Sequence, residues 1–329
     1  MAPTVPFSPD ELLEVARRVG PAGPFGRLWQ GQAHRLDPVA TFAAMTGTGY
    51  RVPLGICVAV MPMRHPYQAA LEARTLAVLS GASPIYGIGP GSAVRQRQLL
   101  GAPYAHPLRA VREYMQAMRR ALLPAGLGGL SDGMDAEYFP MPEALPPVPA
   151  PQVHLGLGVL RPAMARLAGE LADAALTWLA PPDYLSATVA PALAEAAERA
   201  GRPRPHLASM VPVAVRRAGR SPVDLVNDVA GGHFALPHYA DMLARAGVDV
   251  SAGDPRTNAA AFLAGDGFAY GTAAEVVEQL GRYKEAGVDE VIVTVNGTAH
   301  RYGAAAALLD LDAIAAALPQ RQQLTAPSR

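Results

Sequence analysis

Several groups of residues in this chain have types and spacings that can do chemistry. Gly87-Ile88-Gly89-Pro90-Gly91-Ser92 places glycine at alternate positions. Without a Cβ, backbone amides there can approach a ligand closely. Asn296, Thr298, His300 and Arg301 sit in one short run and offer donors and acceptors to a substrate. Trp29 and Trp178, the two tryptophans, can line an apolar cavity or pack in a core. His233 and His238 suggest a metal pair, but Pro237 interrupts them and no carboxylate converges on them. No metal site is therefore expected. Cys57 is the single cysteine. It excludes an internal disulfide and a thiolate metal cluster, and reads as a small buried hydrophobe rather than a nucleophile.

Composition narrows the class. The chain has 329 residues, is 50% hydrophobic, and balances 28 Lys and Arg against 28 Asp and Glu. One large α/β domain fits that length. With zero formal net charge and no basic run, neither nucleic acid nor an anionic membrane surface is an expected partner. No apolar stretch is long enough to span a membrane, and the N-terminus lacks a signal-peptide pattern. Together with the lone cysteine, this gives the expectation of a soluble, cytoplasmic protein.

The elements that must hold these residues can be read from periodicity. Val52 to Val60 is nearly continuous apolar sequence, as in a strand buried on both faces of a parallel sheet. His65-Pro66 opens a helix with Ala69, Ala70, Ala73, Leu76 and Ala77 at helical spacing, and Ser80-Gly81 ends it. Pro84 to Ile88 is the next strand. The glycine loop follows at its carboxyl end, where α/β folds bind ligands. Further strands are expected at Phe25 to Gln32, Val153 to Leu157, within Ala172 to Leu179, at His206 to Val215 and at Val291 to Val295. A minimal first strand is expected at Thr4 to Phe7. Helices are expected from Ser8 to Val19, Asp37 to Gly47, Pro107 to Leu123, Asp183 to Ala200 and Ala304 to Leu318, and from Ser221 on. Two start at capping boxes, Ser8 to Glu11 and Thr272 to Glu275. Gly265 to Gly271 reads as a loop.

Alternation with about eight strands predicts a (β/α)8 TIM barrel with an irregular first strand. A doubly wound sheet is the alternative, but no convincing dinucleotide fingerprint supports it. Residues 1–318 form one domain in this reading. Residues 124–152, rich in Pro and Gly, are an insertion or lid, in which Tyr138-Phe139 would form a short strand over the pocket. Residues 319–329 are expected to be a disordered tail.

Two stretches carry a family resemblance. RHPYQAALEARTLAVLSGASPIYGIGPG, from Arg64 to Gly91, and LRPAMARLAGELADAALTWL, from Leu160 to Leu179, resemble the bacterial luciferase-like oxidoreductases. Weaker similarity covers Gly271 to Val295. That family forms TIM barrels and uses FMN or the deazaflavin coenzyme F420. The resemblance implies a non-prolyl cis peptide between Cys57 and Val58, supporting the central ring of the flavin. It places Gly89, Gly91 and Ser92 beside the cofactor. It puts the phosphate at a helix N-terminus formed by Leu160, Arg161 and Ala163, and Arg109 at a further phosphate-binding position. It gives His65 a structural role, capping or bracing its helix. The chain departs from the family at two places. Where relatives often carry an Asp-His pair, it has Gly31 and Gln32, and Gln32 can hydrogen-bond but not do acid–base work near neutral pH. Where some F420-dependent relatives carry a glutamate acid, it has Ser92.

The reading that follows is an F420-dependent oxidoreductase, moving hydride between the deazaflavin C5 and a C=C, C=N or C=O bond of a small molecule, as in a tailoring reductase of secondary metabolism. Trp29, Trp178 and Asn296 are its substrate-contact candidates, and Gln32 is its candidate polar group. An FMN-dependent monooxygenase served by a flavin reductase is the alternative. A cofactor-free structural or partner subunit is a third reading, from another class. A homodimer is the assembly the resemblance implies.

Overall fold

The computed structural model describes residues 9–20, 23–32, 36–123, 136–140, 144–251 and 253–319. The minimal strand expected at 4–7, the residues from 320 onward and most of the 124–152 segment lie outside them.

Strands and helices alternate along most of the chain. Helix α1 (Pro9–Ala16) precedes β1 (Leu28–Gln30), and α2 (Pro38–Gly47) precedes β2 (Leu54–Val60). Then come α3 (Pro66–Ser80), β3 (Ile85–Gly89), α4 (Ala93–Leu100), α5 (Pro107–Ala121), β4 (His154–Gly158), α6 (Pro162–Leu171) and β5 (Ala174–Trp178). Helix α7 (Pro182–Tyr184) runs through a π-helical turn, Leu185–Val189, into α8 (Ala190–Arg199). After β6 (His206–Val215) come α9 (Pro222–Phe234), α10 (Pro237–Arg245) and α11 (Pro255–Ala264). The chain continues through β7 (Ala269–Gly271), α12 (Ala273–Glu285), β8 (Glu290–Thr294) and α13 (Asn296–Ala317).

Local chemistry sets many of the helix starts. Asp37, Ser92, Ser221 and Asp254 each accept a backbone N–H of the first turn, satisfying donors that the helix leaves orphaned. His65 does the same through Nδ1, which accepts from the Tyr67 amide. Thr272 and Glu275 form a reciprocal capping box.

Every strand pair is parallel, and neighbours run in order from β1 to β7. Strand β6 is long enough to hold two partners besides β5. Its first half, Ala208 to Pro212, pairs with β8, and Val213 to Val215 pairs with β7. The sheet curls so that its first and last strands meet. Trp29 Nε1 on β1 donates to Glu290 Oε1 on β8 at 2.7 Å. Trp29, Ile85, Leu176, Met210 and Ile292 share one interior cluster, and the larger cluster lies between sheet and helices. Among the described residues no backbone pairing joins β1 to β8. The fold of the described residues is therefore a curled parallel sheet with helices outside it.

Other expectations are corrected locally. Tyr138-Phe139 forms no strand. Their rings pack edge-on against Tyr104 and Tyr114, while Glu113 accepts the Tyr138 amide and the Tyr138 hydroxyl accepts the His106 amide. With its amide taken by Glu113, Tyr138 has no N–H left for a ladder. Ala269–Gly271, within the expected loop, is strand β7. The run from Asn296 is helical rather than a loop, and α13 carries its break at Gly303, with φ 85°. Helices α4 and α11 escaped the reading because Ser92 and Asp254 open them at the ends of loops.

No helix of the described residues is long and apolar enough to cross a membrane.

Candidate active site

The site is built at the carboxyl ends of the strands. Strand β2 carries the cis peptide Cys57–Val58 at the point where its register against β3 shifts, between Ile56 and Ala59. Val58 there packs on the interior cluster with Cys57 and Trp178. The neighbouring strands are stripped of side chains on that side. A Cβ on Gly89 would lie 3.0 Å from Val58 Cγ2, and one on Gly158 would lie 3.4 Å from Val58 Cγ1. A Cβ on Gly87 would lie 2.1 Å from Leu176 Cδ1. The result is a shelf of backbone from β3 and β4 against which the side chains of Val58 and Leu176 pack. Gly91 turns the chain away with φ 70°, a conformation that favours glycine. Ser92, placed beside a cofactor by the resemblance, uses its Oγ to cap α4, accepting from the Arg95 amide.

Behind this shelf lies a polar network that the sequence reading missed. Arg64 is almost wholly buried, with 6% of its side chain exposed. It pairs with Glu72 at 3.3 Å, donates to the Tyr86 hydroxyl at 3.1 Å, and donates to Gln32 Oε1 at 2.8 Å. Tyr86 in turn donates to Glu72 at 2.5 Å. Burial pushes the Tyr86 hydroxyl well above its usual range, so it stays protonated. Gln32 is thus oriented by Arg64, with its amide nitrogen as the end left to donate. Arg64 directly precedes His65-Pro66, so its place at a strand end was its only sequence signal.

Across the mouth, Trp178 at the end of β5 lies two residues beyond Leu176, which is in register with Gly158. Its Nε1 donates to His233 Nε2 at 3.3 Å. The His233 and Tyr239 rings meet edge-on at 4.9 Å. Helices α9 and α10 therefore supply a wall to this end of the sheet. The two histidines set aside as metal ligands belong to that wall. Burial pushes the half-buried Cys57 thiol up to about 12, so it remains un-ionised.

At the end of β8, Thr294 Oγ1 and Asn296 Oδ1 are buried without a hydrogen-bond partner. Buried polar atoms are normally paired, so these two are suited to a ligand's donor or acceptor. Trp29 is not at the mouth. It is fully buried deeper in the curl and spends its N–H on Glu290. Thr298 is also fully buried, donating to Asp310 at 3.0 Å. Arg301 pairs with Asp228 at 2.6 Å. Neither is brought to the pocket.

The expected phosphate positions are placed as follows. Arg161 is the N-cap residue of α6, no side chain caps that helix, and with Pro162 lacking an N–H and the Met164 and Ala165 amides bonded to the Arg161 carbonyl, the Ala163 amide is the one that can face an anion. Its exposed guanidinium reaches Asp241 at 3.5 Å. Leu160 offers its carbonyl to the Tyr184 hydroxyl, and Ala163 lies in the first turn. Arg109 pairs with Glu113 and with Glu137, each at 2.8 Å.

Comparison with known proteins identifies the family and the fold. A family model described as luciferase-like monooxygenase matches residues 1–290. A curated phthiodiolone/phenolphthiodiolone dimycocerosates ketoreductase of Mycobacterium kansasii is 31% identical over 175 residues, covering 52% of this chain and 45% of that protein. The chain spans about half the length of the curated relatives it matches. Among solved structures, an F420-dependent secondary alcohol dehydrogenase in complex with an F420–acetone adduct gives a TM-score of 0.69 at 19% identity, covering 93% of this chain and 94% of the other. A coenzyme F420-dependent tetrahydromethanopterin reductase from Methanopyrus kandleri gives 0.71 at 19% identity, covering 94% and 95%. At that identity these two likenesses show the fold.

Proposed function

The chain belongs to the luciferase-like monooxygenase family, and from that premise we propose that it is an F420-dependent oxidoreductase acting on a C=C, C=N or C=O bond of a small molecule. The observation that carries this reading is the shelf of glycine backbone on β3 and β4 at the carboxyl ends of the strands, with Val58 of the Cys57–Val58 cis peptide set against it. The unpartnered polar atoms of Thr294 and Asn296 add support, since they call for a ligand at this end of the sheet.

In this reading Cys57, Val58, Gly89 and Gly158 lie against the ring, with Gly91 and Ser92 at its edge. Leu160, Arg161 and Ala163 hold the phosphate at the N-terminus of α6, and the Arg161 guanidinium adds a charge-assisted contact. Arg109 would exchange a glutamate partner for phosphate. When bound, reduced F420 would supply hydride from its C5. The protein orients the reactants and excludes water. Gln32, held by Arg64, donates a hydrogen bond rather than a proton. Trp178 closes the wall, and the proton that completes a reduction comes from water or from the substrate. The curled sheet, whose first and last strands meet through Trp29 and Glu290, would serve as a (β/α)8 barrel around this site.

An FMN-dependent monooxygenase would use the same shelf and helix terminus, with a reductase as partner, and either enzyme would assemble as a homodimer. Titration of cofactor-free protein with F420 and with FMN separates them. Saturation at a hundredfold excess over Kd should stabilise the protein by about 2.7 kcal/mol. Tight binding of F420 alone is the expected result. Tight binding of FMN alone would replace hydride transfer with oxygen chemistry, and binding of neither by folded protein would overturn the site.

A further inference from the structure

The wall opposite the shelf contains the sequence features that cofactor binding leaves unused. It is made by Trp178 of β5 and by His233, His238 and Tyr239 of the α9–α10 hairpin. An indole N–H can only donate, so His233 Nε2, 3.3 Å away, must hold a lone pair. The neutral ring then carries its proton on Nδ1. The His233 ring is fixed edge-on to Tyr239 at 4.9 Å, and Tyr239 lies 4.7 Å from the His238 ring. Trp178, Cys57 and Val58 pack on one interior cluster, so the aromatic wall borders the shelf.

The wall is uncharged near neutral pH. Burial, then repulsion from His238, pushes His233 down to about 4. Burial, then the Arg161 charge, lowers His238 as well. The Cys57 thiol stays protonated. Beside the hairpin, Asp241 pairs with both Arg161 and Arg245. With Arg161 given to the cofactor phosphate in this reading, Trp178, His233 and Tyr239 themselves offer an anionic substrate no cation to offset its leaving water. A flat neutral one would gain aromatic contact.

Resting on the oxidoreductase reading, we infer that Trp178, His233 and Tyr239 form the substrate wall, that it takes an uncharged, flat, largely apolar carbonyl or other unsaturated compound, and that His233 is the positioning residue for Trp178. The buried, unpartnered Thr294 hydroxyl at the same end of the sheet can donate to the one carbonyl such a molecule brings.

The test uses acetophenone and its para-carboxylate, titrated calorimetrically into the protein with and without F420 or FMN. Wild type should bind acetophenone at least about tenfold more tightly than the carboxylate. His233→Leu, which cannot accept the indole N–H, should weaken acetophenone binding about fivefold and shift the tryptophan emission assigned to Trp178 by Trp178→Phe. His233→Gln, which can accept, should restore both. Binding of the carboxylate as tightly as acetophenone, or of neither compound, overturns the substrate class. Wild-type affinity and emission in His233→Leu, or no restoration in His233→Gln, overturns the positioning role. Selective acetophenone binding by protein that takes up neither cofactor would refute the F420 reading and keep the wall.

Discussion

Alanine at Gly87 and alanine at Gly89 should fail in different ways, although the two residues sit on one strand and face one interior. At Gly89 the added Cβ meets Val58 Cγ2 at 3.0 Å and Val58 Cβ at 3.9 Å. One methyl must move by a few tenths of an ångström, so folding should lose about 1 kcal/mol or less. At Gly87 the added Cβ meets Leu176 Cδ1 at 2.1 Å and the Ile56 carbonyl oxygen at 2.5 Å. The leucine can turn away, but the carbonyl belongs to the neighbouring strand and moves only with its backbone. Overpacking of that kind should cost about 3 kcal/mol or more. The functional costs run the other way. The Gly89 methyl stands on the shelf that a ring would cover, so cofactor affinity should fall at least about tenfold, or about 1.4 kcal/mol. Urea unfolding measures the first quantity, and fluorescence titration with F420 and FMN the second. A Gly89→Ala protein that binds its cofactor like wild type would refute the shelf. A Gly87→Ala protein as stable as wild type would refute the packing of β3 against β2 and β5.

Other perturbations probe the frame around the site. Asp310 is fully buried and receives Arg220 at 2.6 Å, Arg217 at 3.0 Å and the Thr298 hydroxyl. Asp310→Ala strands the buried Arg220 charge and should cost about 3–5 kcal/mol in urea unfolding; a loss below about 1 kcal/mol would contradict the network. Burial alone would raise the Glu290 carboxyl, but hydrogen bonds with His206 and Trp29 and the charge of Arg27 outweigh it and hold the group at about 2. Because that lies below the unfolded value of about 4.3, its stabilisation is complete above about pH 5 and lost as pH falls toward 2, amounting to roughly 3 kcal/mol. Glu290→Gln should remove that acid-dependent part of a pH series of unfolding curves, and an unchanged slope would contradict it. Thr294→Val should stabilise ligand-free protein by about 1 kcal/mol by removing an unpartnered buried hydroxyl, while weakening ligand binding. A destabilised variant would mean that the hydroxyl is already satisfied. Cys57 should alkylate slowly at pH 8 because its thiol is held protonated, and labelling as fast as that of a free thiol would contradict its placement.

Much of the frame was legible because its signals are local. His65-Pro66, Asp37-Pro38, Ser221-Pro222 and Thr272 to Glu275 open helices through bonds reaching two or three residues. The strand at His206–Val215 has the bounds expected of it, since its apolar run is long and has clear ends. Short elements escaped. Strand β7 has three residues, too few to show a period, and exists because the second half of β6 needs a partner. The cis peptide at Cys57–Val58 lies where the family resemblance put it, although nothing in the neighbouring residues demands it.

The side chains of the site were harder to read. Trp29 and Trp178 are the same residue type on the same side of the sheet, and composition treats them alike. Strand stagger puts Trp29 beneath the cavity against Glu290 and Trp178 at the mouth against His233. Arg64 looked like the lead-in to a helix, yet Gln32 from beyond β1, Tyr86 from β3 and Glu72 from α3 itself all reach it. Periodicity and capping depend on neighbours along the chain, so the order of elements and the glycine loop could be read from the residues in line. Stagger, burial and charge pairing depend on neighbours across the sheet, so only the folded chain decides which polar groups meet, which stay neutral and which are left for a ligand.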